Sequence, residues 1–262
     1  MVQHEHQGEN VKEIPKIRGI LVILLAAVLV PFAAATAIGT SYAAEQPDQI
    51  TGIHRAYIYG YPDGTVKPLG ILTREEAASI FCRLMEGCDK WSAVQREKQF
   101  TDINLDRWSY REISQLAKAG VLEGYPDGSF KPENPITRAE FAAISSKLSS
   151  KSAAREPIFP DTPNHWADQP IRTAVGRGWI RSFGDGTFRP EEQILRCEGM
   201  MLINDALDRR VNGAGITPEA ILWPDNPVDK WYYEIVQEAS NSHKYERVNK
   251  EKSTEQWIDM RR

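Results

Sequence analysis

The chain has 262 residues, 41% hydrophobic and 26% charged, with 18 glycines and 16 prolines; this composition excludes wholesale disorder and a collagen-like chain. With 32 basic and 36 acidic residues the net charge is −4, which excludes the overall positive field of a non-specific nucleic-acid binder. Three cysteines and five histidines without paired ligand spacing argue against a disulfide scaffold and a structural zinc site, so no metal ligand and no cofactor is assigned.

Residues 1–44 form the first element. Lys12, Lys16 and Arg18 precede a wholly apolar run, Gly19 to Val30, and a small-residue stretch ends at Ser41-Tyr42-Ala43. This is the order of a secretory signal cleaved after Ala43 or Ala44. The uncharged stretch from 19 to 44 is also long enough to span a bilayer if it is retained. Both readings export the rest of the chain.

The remainder repeats itself. Residues 100–148, FTDINLDRWSYREISQLAKAGVLEGYPDGSFKPENPITRAEFAAISSKL, return from Phe159 as FPDTPNHWADQPIRTAVGRGWIRSFGDGTFRPEEQILRCEGMMLINDAL. Trp108 to Ile113 and Trp166 to Ile171 are both 5 apart, and Asp127 to Arg138 and Asp185 to Arg196 both 11, so the period is near 59 residues. Residues 60–85 carry only the second half of the template, with Asp63 to Arg74 again 11 apart, and residues 223–240 only the first half. A second half that comes first and a first half that comes last predict a circular arrangement, in which the C-terminal segment completes the N-terminal unit.

Within a unit, Ile113, Leu116 and Ala117 follow Trp108 at helical spacing and Gly120 ends the segment. Tyr125-Pro126-Asp127-Gly128 is a turn, and Thr137-Arg138-Ala139-Glu140 a capping box opening the next helix. The predicted fold is mainly α, a pseudo-threefold assembly of helix-loop-helix units. Its segments are 45–99 (unit 1, second half), 100–158 (unit 2), 159–222 (unit 3), 223–246 (completing unit 1) and a charged, solvated tail at 247–262.

The order F-x-D…W…G…GYPDGSF-x-P…ITRAE over residues 52–246 resembles the S-layer homology (SLH) repeat of bacterial cell-envelope proteins. The resemblance implies a non-catalytic exported module at the cell wall or S-layer, binding anionic, pyruvylated secondary cell wall polysaccharide in grooves between units. An S-layer or envelope protein partner is a further expectation, nucleic acid is not, and a membrane enters only if residues 19–44 are uncleaved. Carried over by motif, the groove residues are Arg74, Arg138 and Arg196, Asp63, Asp127 and Asp185, Trp108, Trp166 and Trp231, with Gly124 and Gly128 of the loop.

Residue chemistry sorts these letters. The helix dipole disfavours a guanidinium in a first turn, yet arginine recurs there three times; a planar fork suits a carboxylate ligand, and the alternative is a salt bridge to the aspartate 11 residues upstream. Each Trp is either a core anchor or a flat surface for a sugar ring. The first unit reads Thr73-Arg74-Glu75-Glu76, with an extra negative charge beside its arginine, and the third, Leu195-Arg196-Cys197-Glu198, lacks the Thr cap. The groove using Arg138 is therefore expected to be the strongest. Cys82 and Cys197 read as small, partly buried side chains, and a Cys82–Cys88 bond stays open.

Overall fold

The computed structural model describes residues 50–85, 100–148, 157–247 and 254–261. The leader or anchor expected at 1–44 lies outside them. Among the described residues, no helix is long and apolar enough to cross a membrane.

The order is β1 (Ile50–His54), α1 (Arg74–Leu84), α2 (Tyr110–Lys118), α3 (Arg138–Leu148), α4 (Asp168–Gly176), α5 (Arg196–Ala206), α6 (Tyr233–Ser240), β2 (His243–Arg247) and β3 (Gln256–Met260). The protein is mainly α and each repeat is helix-loop-helix, as its sequence predicts. Contacts group the described residues into two compact units, one from Leu69 to Leu202 and one made of residues up to Pro68 together with those from Ile203 onward.

In the first unit the capping boxes form as expected. Thr73 Oγ1 accepts from the Glu76 N–H at 3.3 Å while the Glu76 carboxylate accepts from the Thr73 N–H at 3.1 Å; Thr137 and Glu140 do the same at 3.2 and 3.1 Å. In α5 only the glutamate half survives, Glu198 accepting from the Leu195 N–H at 2.8 Å. α2 starts later than its Trp and buries Ile113, Leu116 and Ala117, and Gly120 closes it at φ +73°, the left-handed position that glycine takes without strain.

The three segments leading into α1, α3 and α5 are joined in a ring. The Leu72 N–H donates to the Ile194 carbonyl at 2.9 Å, Ile136 to Leu72 at 2.9 Å, and Ile194 to Ile136 at 3.4 Å. All three side chains are fully buried, so apolar burial and a closed set of backbone bonds reinforce each other. One step on, Arg74, Arg138 and Arg196 donate their backbone N–H groups to the carbonyls of Asn134, Glu192 and Gly70, at 2.9, 2.9 and 2.8 Å. Orphan donors of each helix start are thus satisfied by a neighbouring repeat.

Each loop is fixed by an aspartate two residues after an aromatic, in an F-x-D or, at Trp223, a W-x-D motif. Asp102 accepts from the backbone of Phe130 and Lys131, both at 2.7 Å; Asp161 likewise holds Phe188 and Arg189. In the second unit Asp225 accepts from Val66 at 3.0 Å and Lys67 at 2.7 Å. The residue after each aromatic or aliphatic anchor is left-handed without being glycine, at φ 48° for Lys67, 55° for Lys131 and 57° for Arg189. The two backbone bonds to the aspartate hold that uncommon conformation.

Gly124 packs under Phe100: an added Cβ would lie 2.5 Å from both the Phe100 ring and the Ser129 carbonyl, whereas at Gly184 it would meet nothing. Gly124→Ala should therefore cost about 1–3 kcal/mol by overpacking, and Gly184→Ala no more than about 0.5 kcal/mol. Urea melts of the two variants check this contrast.

The second unit corrects the expectation of a solvated tail at 247–262. β1 pairs antiparallel with β2, and β2 with β3, in the order β1-β2-β3. Trp257 on β3 is buried and packs with Val211 and Ala220, so an apolar anchor within a charged stretch recruits it as an edge strand. Cys82 is disulfide-bonded, the possibility its sequence left open, while Cys197 is an unpaired buried thiol whose pKa burial pushes up to about 11. The only other cysteine is Cys88, outside the described residues.

Candidate functional site

The repeated arginines sit at the starts of α1, α3 and α5, and their surroundings differ. Arg74 is buried. Its Nε donates to the Phe130 carbonyl at 2.8 Å, its Nη1 to Glu140 Oε1 at 2.5 Å and its Nη2 to the Glu123 carbonyl at 3.3 Å. It lies over the rings of Tyr125 and Phe130, 4.8 and 4.6 Å from their centres. Arg196, also buried, has Glu76 at 3.7 Å. These carbonyls and carboxylates explain how a cation is tolerated at a helix N-terminus: local negative charge outweighs the dipole.

Arg138 is built the same way but lacks the carboxylate. Its Nε donates to the Phe188 carbonyl at 2.9 Å and its Nη2 to the Arg181 carbonyl at 2.5 Å, and it lies over Phe183 and Phe188 at 4.6 and 4.7 Å. Among the described residues no carboxylate is within ion-pair distance of it. Burial pushes its pKa down, with only distant help from Glu192 and Glu198. A guanidinium nevertheless stays charged, so the cost of its burial remains for an anion to offset.

The alternative of a salt bridge to the aspartate 11 residues upstream is not what the described residues show. Asp63, Asp127 and Asp185 instead accept at 2.6 Å from the hydroxyls of Thr65, Ser129 and Thr187, and from the same residues' backbone N–H groups. Those hydrogen bonds hold all three carboxyls below the usual range. These are Asx-type turns, and Gly128 at φ +81° completes one of them.

Trp108, Trp166 and Trp231 are 58%, 64% and 61% exposed. Three equivalent, large and solvent-facing aromatics overturn the core-anchor alternative for these residues. Arg107, next to Trp108, grips the extra glutamate of the first unit, Nε and Nη2 meeting Glu75 at 2.8 Å each, and Ser109 donates to it at 2.6 Å. The added charge of Glu75 is thereby neutralised rather than left beside Arg74. His165, next to Trp166, meets Glu191 at 2.8 Å.

One recurring basic residue escaped the sequence reading. Lys67, Lys131 and Arg189 lie over the rings of Tyr61, Tyr125 and Phe183 at 4.1, 4.1 and 3.9 Å, each within 3.7 Å of Asp63, Asp127 or Asp185. The signal was present as Val66-Lys67-Pro68, Phe130-Lys131-Pro132 and Phe188-Arg189-Pro190. In the first unit the structure thus gathers Arg138, Arg189 and Phe183 in one place and Arg74, Lys131 and Tyr125 in another.

An S-layer homology domain model matches residues 52–78, 99–142 and 158–198. The chain carries three S-layer homology domains. Arg74, Arg138 and Arg196 each fall in one of the three matched stretches, and the first of these begins on β1. Over 212 residues the chain is 37% identical to cell surface glycoprotein 1 of Acetivibrio thermocellus, covering 76% of this chain and 9% of that protein. It is 37% identical over 203 residues to the cellulosome-anchoring protein of the same organism, covering 74% and 44%. It is 30% identical over 124 residues to S-layer protein EA1 of Bacillus anthracis, covering 46% and 14%. The chain spans less than half the length of each of these relatives.

Proposed function

We propose that this is a non-catalytic, exported cell-envelope protein that attaches to secondary cell wall polysaccharide through its SLH domains, with a pyruvylated or otherwise carboxylate-bearing sugar as the recognised unit. The observation that carries the reading is Arg138: a stacked, partly buried guanidinium with its Nη1 unbonded and no carboxylate partner among the described residues. Arg189 beside the same Phe183 ring adds a second cation, and the exposed Trp166 supplies a flat face for a sugar ring.

In this reading Arg138 is the principal ligand cation. Arg74 and Arg196 are held by Glu140 and Glu76 and serve mainly to join repeats, while Asp63, Asp127 and Asp185 shape the loops that present the basic residues. The half repeat at 223–246 completes the N-terminal one, a closure supported by Asp225 gripping Val66 and Lys67 just as Asp102 and Asp161 grip their loops. The test is co-sedimentation with wall sacculi, which this reading requires to disappear once the non-peptidoglycan polymer is extracted.

A further inference from the structure

The second unit buries a cluster that no repeat motif explains. His54 ends β1 and stands directly opposite His243, the first residue of β2. Glu238 comes from the last turn of α6, and Glu255 immediately precedes β3. Their exposures are 8%, 0%, 1% and 2% respectively for His54, His243, Glu238 and Glu255. One ligand atom from each lies within 4.8 Å of all the others.

We propose that His54, Glu238, His243 and Glu255 form a closed, four-coordinate structural site for a divalent transition-metal ion, with Zn2+ the ion that this donor set fits. Bonds of roughly 2.0–2.2 Å to nitrogen and oxygen give a tetrahedron with edges of about 3.3–3.6 Å. His54 Nδ1 is 2.8 Å from Glu238 Oε1 and 3.2 Å from Glu255 Oε2; His243 Nε2 is 3.4 Å from Glu238 Oε2 and 3.8 Å from Glu255 Oε2. The two imidazole nitrogens thus lie 3.2 and 3.8 Å from the one oxygen Glu255 Oε2, on either side of the tetrahedral edge, and each has a Glu238 oxygen at 2.8 or 3.4 Å, from which rotation of that carboxylate selects one ligand atom.

A second observation points inward independently. His243 Nε2 and Glu255 Oε2 are both buried and neither makes a hydrogen bond, an arrangement folded proteins avoid unless something else satisfies the atoms. The imidazole is oriented for ligation: its Nδ1 lies 3.0 Å from the Asn241 carbonyl, which places the proton there and leaves the Nε2 lone pair facing the carboxylates. The ring is stacked on Trp257 at 4.0 Å. Arg247 binds Glu255 Oε1 at 2.5 Å, leaving Oε2 to the centre, and Trp257 Nε1 donates to Glu238 at 3.3 Å. With all four positions supplied by the protein and none open, the ion would staple β1, α6 and the last two strands rather than catalyse. Two nitrogens with two carboxylates favour Zn2+ over Ca2+ or Mg2+, which take oxygen ligands.

The test uses the full chain, stripped with a chelator and titrated calorimetrically with Zn2+, then loaded with Co2+ as a spectroscopic probe. The expected results are uptake of one ion per chain, the intense visible absorption of tetrahedral Co2+, and a thermal midpoint that rises on Zn2+ addition. All three should be lost in His243→Gln and in Glu255→Gln, whereas Gly184→Ala, in the other compact unit, should keep them. Failure of the stripped wild-type chain to take up Zn2+ stoichiometrically would overturn the site and leave a proton-sharing imidazole–carboxylate cluster. Equal uptake by the variants would overturn it too. Wall binding is read separately on the same preparations, so failure of this site and failure of polysaccharide attachment are distinguishable.

Discussion

Arg138→Ala is expected to lower affinity for solubilised wall polymer by about 10–100-fold, the equivalent of losing a charge-assisted hydrogen-bonded contact. Arg196→Ala should lower it less, because Arg196 already faces Glu76 at 3.7 Å. Arg138→Lys should recover only part of the loss, since an ammonium keeps the charge but not the planar fork or the stacking on Phe183 and Phe188. Calorimetric titration of each variant with one polymer preparation reads these differences. An Arg138→Ala protein that binds as tightly as the wild type would remove the groove cation from the account.

Arg74→Ala should behave in the opposite sense, with a large loss of stability. It removes the cationic partner of a largely buried pair, leaves Glu140 only its Tyr125 and Thr137 donors, and takes the guanidinium from the Phe130 and Glu123 carbonyls. Breaking such a pair costs about 3–5 kcal/mol. Arg138→Ala abandons two backbone carbonyls but no carboxylate, and should cost about 1 kcal/mol. Urea unfolding followed by the helical circular dichroism signal separates the two. Equal destabilisation by both substitutions would show that the first arginine is not a structural cation.

Much of this was legible in the chain because local chemistry dictates it. Thr73 with Glu76 and Thr137 with Glu140 form capping boxes wherever such a tetrad precedes a helix, and Asp-Gly turns close on their own hydroxyl neighbours. The partners of the arginines were not legible, since Arg74 meets Glu140 across 66 residues and no local rule fixes that pairing. Trp108, Trp166 and Trp231 could be read either as core or as surface, because helix periodicity assigns a face only once the helix start is known; α2 begins after Trp108, not at it. The terminal sheet was hidden because Lys244, Glu246 and Arg247 dominate its composition, while one buried Trp257 decides its fate. The histidine–glutamate cluster has no linear spacing at all: strand register alone brings His54 opposite His243.

The most direct measurement is co-sedimentation of the purified protein with wall sacculi in three states: intact, stripped of the non-peptidoglycan polymer, and intact but with ketal-linked pyruvate removed by mild acid. The account predicts binding to intact sacculi, none to stripped sacculi and markedly weakened binding after pyruvate removal. Undiminished binding to stripped sacculi, or no binding to intact ones, would contradict it.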